Sequence, residues 1–176
     1  MTSHALESVA LALVAGGRGS FTRCSTPSSS RASPQTGYCS SRMVIAGKEC
    51  TRPTSVDEVA AATLRCLRRH VPVAVPGIVF LSGGQHARLA TAHLNAVNQL
   101  SIAKPWKVSF SYGRALQDPA LEVWQGRDEN FAAGQRALYH RARLNAAASV
   151  GTYTSEMEAV SPNDSDPPHR HDWGDD

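Results

Sequence analysis

The sequence predicts an α/β protein in which short strands alternate with helices, and three observations support this fold class. Stretches with a helical spacing of apolar residues alternate with short strand-like runs between about residues 55 and 151. The run 77–81 is apolar throughout, as in a strand that is buried on both faces of a parallel sheet. A strand followed by a helix and then by another strand is typical of a parallel β/α unit.

The first helix has the clearest local signals. Ser55 and Glu58 form the S-x-x-E pattern of a capping box, in which each side chain satisfies a backbone N–H group at the helix start. The basic residues 68–70 stand in the last turn, where the helix dipole favours positive charge, and Pro72 prevents continuation. The residues of the buried face recur with helical spacing: Val56, Val59, Ala60, Thr63, Leu64 and Leu67.

The remaining elements follow the strand at 77–81. We expect a helix over 86–100, an alternating strand over 107–112, a short helix near 119–124 and a longer helix over 128–150, with Gly151 as its C-terminal cap. Two strands do not make a stable parallel sheet, and a closed β/α barrel has eight strands in about 250 residues. We therefore expect this segment to be part of a larger fold.

The two ends of the chain differ in composition from this middle region. Residues 16–42 carry no acid and no apolar period, and glycine and proline interrupt them, while residues 152–176 carry Arg170 against seven acids. We expect disorder in residues 1–42 and from about residue 152 onward. The Ser- and Arg-rich stretch also has the composition of an organelle transit peptide, which would place the protein in a plastid rather than in the cytoplasm.

Composition argues against several functional classes. No apolar run approaches the roughly 20 residues of a membrane-spanning helix. The net charge is +3, and no stripe of Lys and Arg with interleaved aromatics indicates a nucleic-acid partner. The cysteines at positions 24, 39, 50 and 66 fit no zinc template, and we expect them to be reduced in a cytoplasmic protein. His169, His171 and Asp172 lie in the predicted disordered tail, so we expect no metal site there.

Both predicted strands end in polar loops that contain glycine. Ser82 and Gly83 follow the first strand, and Ser111, Gly113 and Arg114 follow the second. Ligands of β/α barrels bind at the C-terminal ends of the strands, where glycine lets backbone N–H groups approach a phosphate. An arginine adds a cation capable of a bidentate contact. The same residue types also suit an ordinary tight turn and a surface ion pair, so both interpretations stay open at this point.

Several stretches resemble the class I fructose-1,6-bisphosphate aldolase family. They are VAVPGIVFLSGGQ at 73–85, LNAVN at 94–98, KPW at 104–106, VSFSYGRALQ at 108–117, DENFAAGQ at 128–135, RARLN at 141–145 and GTY at 151–153. The resemblance covers about residues 43–154. It implies an incomplete (β/α)8 or TIM barrel that retains the last two strand–helix units within residues 43–151, between a non-homologous segment 1–42 and an acidic tail 152–176.

The resemblance also implies a reaction and a site. The family cleaves fructose 1,6-bisphosphate to dihydroxyacetone phosphate and glyceraldehyde 3-phosphate in glycolysis, through a Schiff base on a lysine and without metal or cofactor. By position, five residues are implied to hold a substrate phosphate: Ser82, Gly83, Ser111, Gly113 and Arg114. The family is tetrameric, which makes aldolase subunits candidate partners.

The chain departs from the family at the catalytic position. The family lysine lies in a Leu-Leu-Lys-Pro-x-Met-Val stretch, and counting back from Met43 and Val44 places Ser40 there. A serine hydroxyl cannot form an imine with a ketone, whereas a lysine amine can. We therefore expect no catalytic residue and no aldol cleavage by this polypeptide alone. A non-catalytic protein that binds sugar phosphates or aldolase subunits is the alternative.

Other titratable residues have ordinary structural interpretations. His93 falls on an apolar helix face and is expected to be a packed core histidine, whereas His140 is expected at the surface. Lys107 stands at the start of a strand, away from the predicted site, so we expect no nucleophilic role for it.

Overall fold

Three strands form one parallel sheet in residues 38–47 and 50–159, which the computed structural model describes. The strands are β1 (Tyr38–Arg42), β2 (Gly77–Leu81) and β3 (Lys107–Phe110), in the spatial order β1-β2-β3. Four helices accompany them: α1 (Val56–His70), α2 (Ala87–Gln99), α3 (Arg114–Trp124) and α4 (Phe131–Ser149). None of the helices in these residues is long and apolar enough to cross a bilayer.

Helix α1 confirms the predicted capping box. The Glu58 N–H donates to the Ser55 hydroxyl at 3.1 Å, and the Ser55 N–H donates to the Glu58 carboxylate at 3.0 Å. The buried face packs Leu64 and Leu67 into the core. The helix ends at His70, where the Val71 N–H still donates to the Leu67 carbonyl before Pro72 breaks the pattern.

Strand β1 corrects the prediction of two strands and of disorder up to residue 42. Tyr38–Arg42 pairs in parallel with β2, from Tyr38 opposite Gly77 to Arg42 opposite Leu81. Its centre is Cys-Ser-Ser, which has little intrinsic preference for a strand. The edge of β2 supplies a ladder of backbone hydrogen-bond partners, and this tertiary contact overrides the weak local signal. Residues 1–37 lie outside the described residues.

The two faces of the sheet differ in how much cover they have. Ile78 and Phe80 of β2 point to the face that the helices cover, and both are fully buried. The opposite side, which we call the open face, carries Ser40 and Val79 in register on β1 and β2, and both are only half-buried. Ser109 of β3 is in register with Val79, but its hydroxyl lies 3.3 Å from the Ser149 hydroxyl of α4.

Helix α3 begins earlier than the sequence prediction near residue 119. In the structure the Gly113 carbonyl accepts hydrogen bonds from the N–H groups of Leu116 and Gln117, so the helix begins at Arg114 and contains the proline. Helix α4 ends as predicted, with Gly151 at a φ of +76° and the Thr152 N–H bonded to the Ala147 carbonyl.

The prediction of disorder from residue 152 is wrong for residues 152–159. The Tyr153 N–H donates to Asn95 Oδ1 at 3.1 Å, and the Tyr153 hydroxyl donates to a Glu158 carboxylate oxygen at 2.9 Å. The other Glu158 oxygen accepts from Arg141, which is almost completely buried in α4. These contacts dock the segment on α2 and α4. Residues 160–176 lie outside the described range.

Candidate phosphate-binding site

The structure brings the two predicted loops to the same edge of the sheet. β2 ends at Leu81 and β3 ends at Phe110, and the strands are parallel neighbours, so both following loops leave the carboxyl edge. The Ser111 N–H donates to the Phe80 carbonyl at 2.7 Å, which continues the ladder one step past β3. The loop that begins at Ser82 and the loop that begins at Ser111 are therefore held side by side.

The first loop has a backbone that only glycine adopts easily. Gly83 and Gly84 have φ values of +63° and +83°, and both are exposed. The Gln85 N–H donates to the Ser82 carbonyl at 3.1 Å and closes the turn. No atom lies within 4 Å of a Cβ placed on Gly84, so the backbone there is open to a ligand.

A buried histidine supports this loop. The Gln85 side chain donates from Nε2 to the Ser82 carbonyl at 2.7 Å, and its Oε1 accepts from His93 Nδ1 at 2.6 Å. Burial lowers the pKa of His93 to about 4, so the ring is neutral at physiological pH with its hydrogen on Nδ1. The burial predicted for His93 is confirmed. Its link to the loop was missed, because helical periodicity carries no information on contacts outside the helix.

The second loop is anchored by an aromatic residue and ends in a cation. The Tyr112 hydroxyl donates to the Ala90 carbonyl of α2 at 2.8 Å, and burial raises the pKa of this hydroxyl. Ser111, Gly113 and Arg114 on either side of it are exposed. Arg114 is the first residue of α3 and forms no ion pair with another described residue.

A second arginine, which the sequence analysis missed, lies at this edge. Arg42 is the last residue of β1 and stands opposite Leu81. A Cβ placed on Gly83 would lie 3.9 Å from Arg42 Cδ, so the arginine stem runs beside the first loop. The signal that could have found Arg42 is the strand itself, because the carboxyl ends of adjacent parallel strands share an edge.

Ser40 lies in the middle of β1, opposite Val79, and is half-buried on the open face. Neither of the two lysines in the described residues lies at the carboxyl edge of the sheet. Lys104 Nζ donates to the carbonyls of Val97, Asn98 and Leu100 at the end of α2, and burial lowers its pKa. Lys107 is the first residue of β3, at the opposite edge of the sheet.

Two further sequence predictions concern histidines. His140 is not a surface residue as predicted but is buried in α4, and burial together with the Arg141 charge lowers its pKa. Within residues 38–47 and 50–159, no group of three or more His, Cys, Asp and Glu side chains could hold a metal ion. His169, His171 and Asp172 lie outside these residues.

The chain has clear relatives. The family described as fructose-bisphosphate aldolase class-I matches residues 38–170. Fructose-bisphosphate aldolase 2 of Caenorhabditis elegans is 51% identical over 117 residues, which are 66% of this chain and 32% of that relative. Fructose-bisphosphate aldolase B of Sparus aurata is 53% identical over 111 residues, 63% of this chain and 30% of that relative.

A solved structure is also similar to this chain. Fructose-bisphosphate aldolase from Plasmodium falciparum, in complex with TRAP and a small-molecule inhibitor, superposes with a TM-score of 0.64 at 47% sequence identity. The superposition covers 66% of this chain and 33% of that chain. This chain thus spans about a third of the length of the relatives that it matches.

The parallel strands and the glycine loops define a β/α protein with a candidate anion site at the carboxyl edge of its sheet. The match over residues 38–170 shows that the chain belongs to the class I fructose-bisphosphate aldolase family, a family of lyases. The matched region begins at residue 38, so β1 lies within it and not in the non-homologous segment that the sequence analysis placed at 1–42.

Proposed function

We propose that this family member binds a phosphate group of a sugar phosphate, fructose 1,6-bisphosphate in the first instance, between the loops that follow β2 and β3. The observation that carries the proposal is the pairing of these two loops at one sheet edge, fixed by the Ser111 to Phe80 hydrogen bond. Both loops expose glycine, and the second ends in the exposed Arg114. This arrangement suits a tetrahedral anion.

Each proposed ligand has a chemical role. Backbone N–H groups at Gly83 and Gly113 approach the phosphate oxygens closely because no side chain intervenes. The hydroxyls of Ser82 and Ser111 donate one hydrogen bond each. Arg114 contributes a charged fork at the first turn of α3, where the helix dipole also favours an anion.

We further propose that the polypeptide alone does not cleave its sugar phosphate through an imine. Imine formation needs a primary amine that attacks the ketone and then loses water. Ser40 stands at the position that the family lysine occupies, and a hydroxyl can add to a ketone only reversibly as a hemiketal. Without a nitrogen that can carry positive charge, no electron sink forms for breaking the carbon–carbon bond.

The proposed architecture is a segment of a (β/α)8 barrel. The parallel order β1-β2-β3 and the single layer of helices are what such a barrel contributes from three consecutive units. The open face, with Ser40 and Val79, would then correspond to the barrel interior.

Two measurements on the full 176-residue chain test these proposals. Isothermal titration with fructose 1,6-bisphosphate should show binding that the Arg114→Gln variant weakens about tenfold. Borohydride treatment in the presence of dihydroxyacetone phosphate should give no covalent adduct by mass spectrometry, with an intact class I aldolase as the positive control. A stoichiometric adduct contradicts the non-catalytic proposal, and absence of binding contradicts the phosphate site.

A second candidate function is association with aldolase subunits, and the open face is the observation that favours it. Tyr38 is 54% exposed at the start of strand β1, which is an edge strand in the described residues, and Val79 of β2 is only half-buried. An uncovered sheet face and edge are surfaces that another chain can complete. Analytical ultracentrifugation with a purified class I aldolase tests this, and unchanged sedimentation of both proteins contradicts it.

A further inference from the structure

We infer that Arg42 is an additional anion ligand of this site, so that the phosphate is held by two arginines rather than by Arg114 alone. The inference rests on the proposed phosphate-binding function and names a residue on a strand outside the two loops. It also assigns a role to the strand that carries Ser40.

Strand register places Arg42 beside the first loop. Arg42 pairs with Leu81, the residue that immediately precedes Ser82. Its side chain then runs along the loop, since its Cδ lies 3.9 Å from the position that a Cβ on Gly83 would occupy. Two bonds beyond Cδ, the guanidinium carbon is within reach of any anion that is bound by the exposed Gly83 and Gly84 backbone.

Strand alternation places Arg42 on the open face together with Ser40. Successive side chains of a strand point to opposite faces, so residues two apart share a face and lie about 6.6 Å apart along the strand. Ser41, between them, is buried against the helices. The strand therefore presents a hydroxyl at the family lysine position and a permanent cation one step closer to the carboxyl edge.

The chemistry of arginine distinguishes this role from that of the family lysine. A guanidinium stays protonated at all relevant pH values, so it cannot attack a carbonyl, but its planar fork matches two phosphate oxygens. Arg42 is exposed and forms no ion pair with another residue that the structure describes. The loops contain no acid at residues 82–86 or 111–114, so nothing in them neutralises the two arginines.

Titration of the full chain with inorganic phosphate and with fructose 1,6-bisphosphate tests the inference. We expect Arg42→Gln to weaken binding of both about fivefold and to reduce the dependence of affinity on salt concentration, because one charged contact is lost. The control is Arg68→Gln. Arg68 is equally exposed, but it lies in the last turn of α1 just before the chain enters β2, at the opposite end of the sheet. We expect this control to bind like the wild type.

A second measurement needs no variant and so does not depend on how Arg42→Gln folds. In the wild-type chain, the Nε–Hε resonance of Arg42 should move on addition of phosphate, while that of Arg68 should not. A resonance of Arg42 that stays in place while the loop amides move overturns the inference.

The outcomes separate this inference from the function on which it rests. If Arg114→Gln weakens binding and Arg42→Gln does not, Arg42 is no ligand, and the two-loop site stands. If Arg42→Gln weakens binding and Arg114→Gln does not, Arg42 is a ligand, but the two-arginine site is overturned together with the assignment of the second loop. A wild-type chain that binds neither ligand overturns both.

Discussion

His93 Nδ1 donates a 2.6 Å hydrogen bond to Gln85 Oε1, and the same glutamine donates from Nε2 to the carbonyl of Ser82. A fully buried residue of α2 is thereby connected to the first turn of the candidate site. The connection needs a hydrogen on Nδ1, which the neutral ring supplies. We therefore expect the shape of the loop to depend on His93, which lies outside both loops.

Replacing His93 should loosen this loop. In a His93→Leu variant the partly buried Gln85 Oε1 loses its donor, which costs about 1–3 kcal/mol of the free energy of unfolding. Urea denaturation measures this loss, and hydrogen exchange at the Gln85 amide reports whether the turn opens. The exposed His86, in a His86→Gln variant, is the control and should change neither quantity. Unchanged exchange at Gln85 would show that the histidine only fills space.

The pH dependence of stability should follow the same residue. Burial lowers the pKa of His93 from 6.5 to about 4, so between these values the unfolded chain binds a proton that the folded protein does not. The contribution of His93 to the free energy of unfolding is therefore fully present above pH 6.5, and about 3 kcal/mol of it is lost as the pH falls to 4. His93→Leu should remove most of this slope. His140, whose pKa is also lowered by burial, contributes to the slope that remains.

Local signals in the sequence predicted α1 and β2 well. They failed for segments whose structure is determined by tertiary contacts. Ser55 and Glu58 cap α1 through contacts three residues apart, and such contacts are visible in the sequence. Ser40 and Arg42 are in a strand only because β2 pairs with them. Tyr153 is ordered because Asn95, far away in the chain, accepts a hydrogen bond from its N–H group.

In the candidate site, too, some residues could be predicted from the sequence and others could not. Ser82, Gly83, Ser111, Gly113 and Arg114 are found where the sequence placed them, at the ends of adjacent strands, although their role as ligands stays a prediction. Arg42 and the Gln85–His93 pair could not be predicted. Each joins elements whose spatial relationship depends on β1 being a strand or on how α2 packs.

The buried Arg141–Glu158 pair should be important for stability. Burial by itself raises the pKa of Glu158, but the hydrogen bond and charge of Arg141 outweigh it and hold the pKa below 4.5. Glu158→Gln leaves the buried Arg141 without its counter-charge, and we expect a loss of about 3 kcal/mol in urea denaturation. Glu156→Gln, at an exposed position two residues earlier, is the control and should be close to neutral.

The Arg141–Glu158 pair should also make the free energy of unfolding decrease at acid pH. Because the pKa of Glu158 is lower in the folded protein than in the unfolded chain, its contribution is fully present above pH 4.5 and is lost as the pH falls through the folded value. The wild type should therefore lose stability below pH 4.5 more steeply than Glu158→Gln does. Equal slopes for the two proteins below pH 4.5 would mean that the ion pair contributes little.

The contact between α3 and α4 gives the last prediction. A Cβ on Gly134 would lie 2.9 Å from Trp124 Cβ and 3.4 Å from the Ala120 carbonyl oxygen. Neither atom can rotate away, so Gly134→Ala forces the helices apart. Alanine favours a helix over glycine by about 1 kcal/mol, whereas overpacking costs about 1–3 kcal/mol. We therefore expect a net loss of stability, with a change in the fluorescence of Trp124.

The matched control for Gly134→Ala is Ala146→Gly, at an exposed position of the same helix where only helix propensity changes. This variant should lose about 1 kcal/mol, with no change in fluorescence. If Gly134→Ala is instead more stable than the wild type by the propensity difference, the close approach of the two helices is not maintained in solution. Thermal melts of the two variants with the wild type decide between these results, because propensity and overpacking give opposite signs at position 134.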